Sequence, residues 1–358
     1  MALDRISLQN FRNHRSTELG GTAHINLLVG ENGAGKTNVL EALSLLAPGR
    51  GLRRASLSEM AGADGGGGFA VGASLREQGH ESARIGTQLD PERPGRRMVR
   101  INSADASASD LGEWLAIGWL TPAMDRLFMD SASARRRYID RMALAVDPLH
   151  ASHVSRFEKA LRERNRLLEK GGDTTWLDAI EAQVSEHGAQ VIAGRVALIA
   201  ALSEELSALP DQLFAKPLLT YRPGGPADRE DLRAELKAQR GRDRAAGRAL
   251  TGPHRDELEV VMSGTGQAAA NCSTGEQKAM LIAITLAHAT LAASGRPGIL
   301  LLDEVAAHLD PVRRSTLFER LRQGKAQVWL TGTERAPFAD ILDEAAKWRV
   351  AAGQVERF

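Results

Sequence analysis

Gly30-Glu31-Asn32-Gly33-Ala34-Gly35-Lys36-Thr37 decides the fold. The octapeptide matches the phosphate-loop pattern G-x-x-x-x-G-K-[ST] at every fixed position. Before it, Ile25 to Val29 is a short apolar run that reads as a buried strand; after it, Asn38 to Leu46 reads as a helix. Strand, glycine loop and helix in that order give the loop its chemistry. The glycines let backbone N–H groups turn inward around phosphates, and the helix N-terminus adds attraction for an anion. Lys36 is placed to contact the β- and γ-phosphates and Thr37 to offer its hydroxyl to Mg²⁺. Residues 30–37 are therefore the candidate nucleotide contacts.

A second piece lies far along the chain. Ile299-Leu300-Leu301-Leu302-Asp303-Glu304 is an apolar strand ending in two carboxylates. Asp303 is the candidate Mg²⁺ partner, and the candidate catalytic groups are Glu304, placed to polarise an attacking water, and the phosphate-contacting Lys36. Lys36 and Asp303 are 303 − 36 = 267 residues apart. Both belong at the C-terminal edge of one parallel sheet, so a large insertion separates them.

The intervening sequence supplies it. Phe69–Glu77, Arg84–Leu89 and Arg97–Ile101 read as three antiparallel strands, after a glycine patch at Gly65 to Gly68. Helical spacing begins near Ser131. Val154 to Leu168 and Leu177 to Leu206 form two amphipathic stretches around Gly171-Gly172-Asp173-Thr174, ending at Pro210. Such a pair makes a short antiparallel hairpin. Pro217 to Pro226 reads as a linker or an edge strand, and Asp228 to Arg248 as helical. From Thr251 the α/β texture returns. The expected division is a first half of the nucleotide-binding domain with a β lobe at 1–125, an inserted helical domain at 126–249, and the second half at 250–358.

Cys272-Ser273-Thr274-Gly275-Glu276-Gln277 precedes a helix, 303 − 273 = 30 residues before the acidic strand end. Taken alone it is a capped helix start, with Ser273 and Gln277 close to a capping box. In order with the other two motifs it resembles the signature of ABC-type ATPases, and Ala307-His308-Leu309-Asp310 resembles their D-loop. Asn10-Phe11-Arg12-Asn13, Gly49-Arg50-Gly51-Leu52-Arg53, Ser131 to Arg141 and Thr251 to Leu258 narrow the resemblance to the RecF family of recombination proteins, over nearly the whole chain.

The resemblance implies an α/β fold: an ABC-type P-loop ATPase head, similar to SMC heads, with an antiparallel β lobe and an inserted helical hairpin. It implies ATP and Mg²⁺ as cofactors and an ATP-dependent homodimer. In that dimer, Ser273, Gly275 and Asp310 of one copy complete the nucleotide site of the other. It implies binding to DNA at single-strand/double-strand junctions and gaps, slow DNA-stimulated hydrolysis, and cooperation with RecR and RecO in loading recombinase. A place in the SOS response and a cytoplasmic, nucleoid-associated location follow from the same resemblance. The chain departs from the wider superfamily at Cys272 and Glu276, and has Thr331-Gly332-Thr333 where transport ATPases carry a histidine. Slow turnover is the expected consequence.

Composition bounds the rest. The 358 residues carry a net charge of +1, so net charge selects no partner. A single cysteine excludes a disulfide within the chain, and no apolar run is long enough for a membrane helix. Between residues 131 and 170, however, ten basic side chains face five acidic ones. Arg135, Arg136 and Arg137 are the candidate DNA contacts, with Arg240, Arg242, Arg244 and Arg248 a second cluster. Aromatic residues are only 4%, which argues against a base-stacking platform. Three rivals stand beside this reading: a transporter ATPase, a structural SMC-type protein and a P-loop kinase. The long insertion, the short hairpin and the serine-glycine segment respectively weigh against them.

Overall fold

The computed structural model describes residues 3–63, 66–77, 80–93, 95–171, 173–208 and 215–358. Gly65, Gly172 and Pro210, parts of the expected turns and helix end, lie outside these. The chain divides into two units, Met1–Asp125 with Leu281–Phe358, and Arg126–Leu209 with Ala215–Met280.

The first unit contains two six-stranded sheets. One is an antiparallel sheet made by β1 (Leu3–Phe11), β2 (His14–Gly20), β4 (Phe69–Glu77), β5 (His80–Leu89), β6 (Arg97–Ile101) and β7 (Ala104–Ala106), in the order β2-β1-β4-β5-β6-β7. The other includes β3 (Ile25–Val29), β8 (Ala116–Leu120), β11 (Gly298–Leu302), β12 (Gln327–Gly332), β13 (Ala346–Ala351) and β14 (Gln354–Arg357), in the order β14-β13-β3-β12-β11-β8. Its strands pair in parallel except for β14. β3, β8, β11 and β12 are buried at every residue, the condition of parallel strands covered on both faces.

The loop helix α1 (Lys36–Ser44) buries Val39, Leu40, Ala42 and Leu43 in a core shared with Ile6, Leu8 and Phe11 of one sheet and Ile299, Leu301 and Trp329 of the other. Two short helices, α2 (Leu57–Met60) and α3 (Leu111–Trp114), complete the β lobe's connections. Arg97 is half-buried and has no carboxylate partner among the described residues. It donates to Thr87 Oγ1, to the Gly49 carbonyl (2.8 Å) and to the Leu45 and Ala47 carbonyls past the C-terminus of α1. Burial pulls its pKa down to about 10. One side chain thus ties the antiparallel sheet to the end of the loop helix.

The second unit is built on helices α4 (Ala132–Val146), α5 (His150–Glu169), α6 (Thr174–Ser207), α7 (Arg229–Ala238) and α8 (Arg240–Ala246). α5 and α6 are the expected hairpin. α6 runs 34 residues without a break, about 51 Å at 1.5 Å per residue. Gly188 and Gly194 sit inside it because neighbours come close: a Cβ on Gly194 would meet His150 Nδ1 at 2.6 Å.

The unit also contains β9 (Pro217–Arg222) and β10 (Glu257–Met262), a two-stranded antiparallel ladder. The segment expected as linker or edge strand is therefore a strand, and its partner is the strand after Thr251. That pairing explains why the second unit keeps residues up to Met280, whereas the sequence placed the return at 250. β10 alternates buried and half-exposed residues, unlike the all-buried strands of the parallel sheet. The long helix α9 (Thr274–Ala292) and α10 (Pro311–Gln323) follow.

Candidate nucleotide site and the charges of the helical unit

β3 and β11 flank β12 in the parallel sheet. The loop after β3 and the acidic end of β11 therefore meet beside the end of β12. Thr37 Oγ1 donates to both Asp303 oxygens, at 2.9 and 3.1 Å, across 266 residues of sequence. Lys36 is buried; its Nζ donates to the Gly30 carbonyl (2.7 Å) and the Glu31 carbonyl (2.9 Å) and lies 3.9 Å from Glu304 Oε1. Burial lowers the Lys36 pKa, while Glu304 and Asp303 oppose that shift.

Thr331, which occupies the region of the missing histidine, is buried at the end of β12. Its hydroxyl donates to Asp303 Oδ1 (2.8 Å) and accepts the Glu304 N–H (2.9 Å). Glu304 itself stands at φ 51, ψ 24, a left-handed conformation that a non-glycine residue adopts at a cost. Thr331 thus holds the Asp303 carboxylate and the Glu304 backbone at once, a role sequence reading missed because it sought an imidazole.

Asp303 is a buried carboxylate whose pKa is raised, first by burial and then by Glu304; hydrogen bonds from Thr331 and Thr37 and the charge of Arg53 act against the rise. A buried, ionised carboxylate next to a hydroxyl oxygen suits Mg²⁺, a hard cation that takes few protein oxygens and keeps several waters. Because the ionised form is disfavoured in the fold, its charge costs stability at neutral pH, and that cost shrinks as pH falls below the raised pKa and is gone below the ordinary carboxylate value. Asp303→Asn is therefore expected to melt no lower than the unmodified chain without nucleotide. It should also lose the melting shift that Mg²⁺-ATP produces. Thermal unfolding with and without Mg²⁺-ATP checks both; a retained shift would remove Asp303 from the cation site.

The loop is braced from behind. Gly35 has φ +117, and a Cβ there would meet Asn13 and His14 at 2.8 Å. Asn13 Nδ2 donates to the Ala34 carbonyl (3.0 Å), and buried His14 holds the Gly35 carbonyl through Nε2 (3.0 Å). Arg12 grips Glu41 of α1 with two hydrogen bonds (2.9 and 2.8 Å), and Arg53 adds a third (2.9 Å). The Phe-Arg-Asn and Gly-Arg-Gly-Leu-Arg motifs therefore converge on one fully buried glutamate of the loop helix. Glu41, a lone charge among Val39, Leu40, Ala42 and Leu43, was visible in the sequence and passed over.

At the start of α9, Ser273, Thr274 and Gly275 are exposed. Ser273 forms a capping box with Glu276: its N–H and hydroxyl both donate to Glu276 Oε2 (2.8 and 2.7 Å). The expected partner Gln277 instead donates to the Cys272 carbonyl (2.9 Å) and is buried. The correction follows from spacing, since a capping box pairs the cap with the residue three positions on. Asp310 caps α10 by accepting the Arg313 N–H at 2.9 Å.

In the helical unit, much of the basic run is used internally. Arg135 is paired bidentately with Glu257 (2.6 and 3.1 Å), and Arg136 donates to the Asp256 carbonyl (2.8 Å). Only Arg137 of the three is exposed. The charge of Arg135, expected to face DNA, is matched by Glu257. In the second cluster, Arg240 pairs with Asp178 and Glu181, while Arg242 and Arg248 are exposed. Asp256 is fully buried and accepts from Arg195 Nη1 (2.6 Å), the Gly224 N–H (2.7 Å) and Tyr221 OH. Its position in Thr251 to Leu258 is thus a packing position.

Two sheets around a phosphate-loop helix, an acidic strand end beside it, and a serine-glycine helix start define an ATPase head of the ABC type. The family model of the RecF/RecN/SMC N-terminal domain matches residues 2–352. The chain is 47% identical to the DNA replication and repair protein RecF of Brucella suis biovar 1, over 99% of this chain and 96% of that protein. It is 44% identical to the RecF of Mesorhizobium japonicum, over 99% and 97%. The chain belongs to the RecF family.

Among solved structures, the recombination mediator protein RecF-ATPrS in the RecFOR pathway superposes with a TM-score of 0.86 at 23% identity, covering 99% of this chain and 98% of that one. An Smc head bound to the C-winged helix domain of ScpA gives 0.58 at 15%, covering 100% and 98%. These share the fold.

Proposed function

We propose that this chain is an ATP-gated DNA-binding protein of replication and recombinational repair. The observation that carries the reading is the Thr37–Asp303 contact, with Thr331 tying Asp303 to Glu304. It brings the phosphate loop, Asp303 and Glu304 together at one sheet edge, which supports a cation position and a water-polarising carboxylate there. The names of the relatives, DNA replication and repair protein RecF, supply the biological setting.

In this reading the loop N–H groups and Lys36 bind the β- and γ-phosphates of ATP. Thr37 and Asp303 hold Mg²⁺, which neutralises phosphate charge when bound. Ser273 and Gly275 of a second copy cover the γ-phosphate, their exposed helix start contributing N–H donors. Asp310 lies near that junction. ATP then favours the dimer because it contacts both copies only when they are closed. Glu304 orients and polarises the attacking water, and loss of the γ-phosphate reopens the dimer. Held in this state, the dimer clamps DNA at gaps and single-strand/double-strand junctions and cooperates with RecR and RecO in recombinase loading and the SOS response. No described helix is long and apolar enough to cross a membrane; a cytoplasmic, nucleoid-associated location belongs to the same reading.

Binding to backbone phosphates makes affinity fall with salt, with a log–log slope of about −0.9 per duplex phosphate neutralised. Fluorescence anisotropy of a gapped duplex, with ATP, from low to moderate salt is the test. Arg137→Glu should weaken binding and flatten the slope by about one contact, whereas an affinity unchanged across the salt range would contradict the reading.

A further inference from the structure

We propose that the groove between α5 and α6 binds a single nucleic-acid strand, with phosphates along Arg156, Lys159, Arg162 and Arg166 and a base stacked on Trp176. The inference rests on the DNA-binding reading above and names a place for one strand of its ligand. The groove measures about 630 Å³ and has all four basic residues in its lining. They follow one another on α5 at steps of three, three and four, so they share one face of the helix. They span about 15 Å along its axis.

Arg156 and Lys159 are exposed and have no ion-pair partner among the described residues. Arg162 and Arg166 reach Glu158 (3.7 Å) and Glu163 (2.7 Å), but both are exposed pairs on the same helix, and such pairs contribute little. Phosphate oxygens can replace those carboxylates.

The opposite wall comes from α6. Ile180, Gln183 and His187 line it, again at helical spacing. His187 Nδ1 is buried without a hydrogen-bond partner among the described residues, and its ring lies 5.9 Å from that of His153. One turn before Ile180, on the same stripe, is Trp176, 66% exposed on the first turn of α6. A large aromatic left in water one helical turn beyond the lining of a basic groove is an arrangement that suits single-strand binding. The low aromatic content argued against stacking; one exposed indole in the right place is enough to reopen it. The four cations form a single row along one helix, which matches one phosphate backbone better than the two of a duplex. A strand can lay its backbone there and leave bases free to stack.

The test uses the full chain with ATP and two fluorescent probes, a gapped duplex and a blunt duplex of the same length. Arg156→Glu with Lys159→Glu should weaken gapped-DNA binding at least about tenfold and flatten its salt slope by about 1.4, two single-strand contacts. Trp176→Ala should weaken it about fivefold or more. Blunt-duplex affinity and ATP-dependent dimerisation should stay within about threefold of the unmodified chain, which also shows that the variants fold. Gapped-DNA affinity unchanged in both variants would overturn the proposal, and so would equal loss on gapped and blunt DNA, which would assign the groove to duplex backbone. If the unmodified chain binds neither probe, the DNA-binding reading itself falls.

Discussion

Glu304→Gln is expected to slow ATP hydrolysis by at least about 100-fold, the lower end of what a positioned general base contributes. ATP affinity should stay within about threefold of the unmodified chain. The substitution preserves shape and the left-handed backbone at position 304, whose N–H still reaches Thr331 Oγ1. Only the carboxylate charge and basicity are lost. Lys36, 3.9 Å away, gives up one neighbouring negative charge, which favours rather than weakens its hold on phosphates. Single-turnover phosphate release and a fluorescent-nucleotide titration separate the two effects. Hydrolysis at the original rate would show that another group polarises the water.

The second large effect concerns stability. Arg164 is fully buried and donates to Glu181 (3.0 Å), Asp243 (2.7 Å) and the Leu236 carbonyl (2.7 Å), joining α5, α6, α7 and α8. Arg164→Met keeps much of the packing but leaves Asp243 without its cation. Glu181 retains Arg240. Breaking a buried pair from one side costs about 3–5 kcal/mol, far more than loss of an exposed pair such as Arg162 with Glu158. Arg164→Met should therefore lower the melting temperature by roughly 10 °C, and the drop should shrink when Asp243→Asn is added, because the stranded charge is then gone. A melting temperature unchanged by Arg164→Met alone would contradict this account.

How far the sequence could be read depended on which residues each element buries. β3, β11 and β12 are buried throughout and mostly apolar because the parallel sheet is covered on both faces, and the motifs at their ends were legible with them. β2, His-Arg-Ser-Thr-Glu-Leu-Gly, is an edge strand in which only His14, Thr17 and Leu19 are buried. Its polarity hid it. β10 looked like another strand of the head because sequence gives a strand's identity but not its partner; pairing with β9 moves it to the helical unit.

Charge was the least legible feature. Arg135, Arg136 and Arg137 are equivalent as letters, yet one meets Glu257, one meets a carbonyl and one, exposed, meets only the Ser133 hydroxyl on its own helix among the described residues. Arg164 and Arg195 likewise belong to the interior. Thr331 could have been found from its position at the end of an apolar strand, had a hydroxyl been sought beside Asp303.

The central claim is that a second copy completes the nucleotide site through Ser273 and Gly275. Sedimentation of Glu304→Gln with ATP, with ADP and without nucleotide tests it most directly, because slow hydrolysis holds the ATP state long enough to weigh. A dimer with ATP only, lost when Ser273→Arg is added, is the predicted result. A monomer under all three conditions, with ATP binding confirmed, would contradict it.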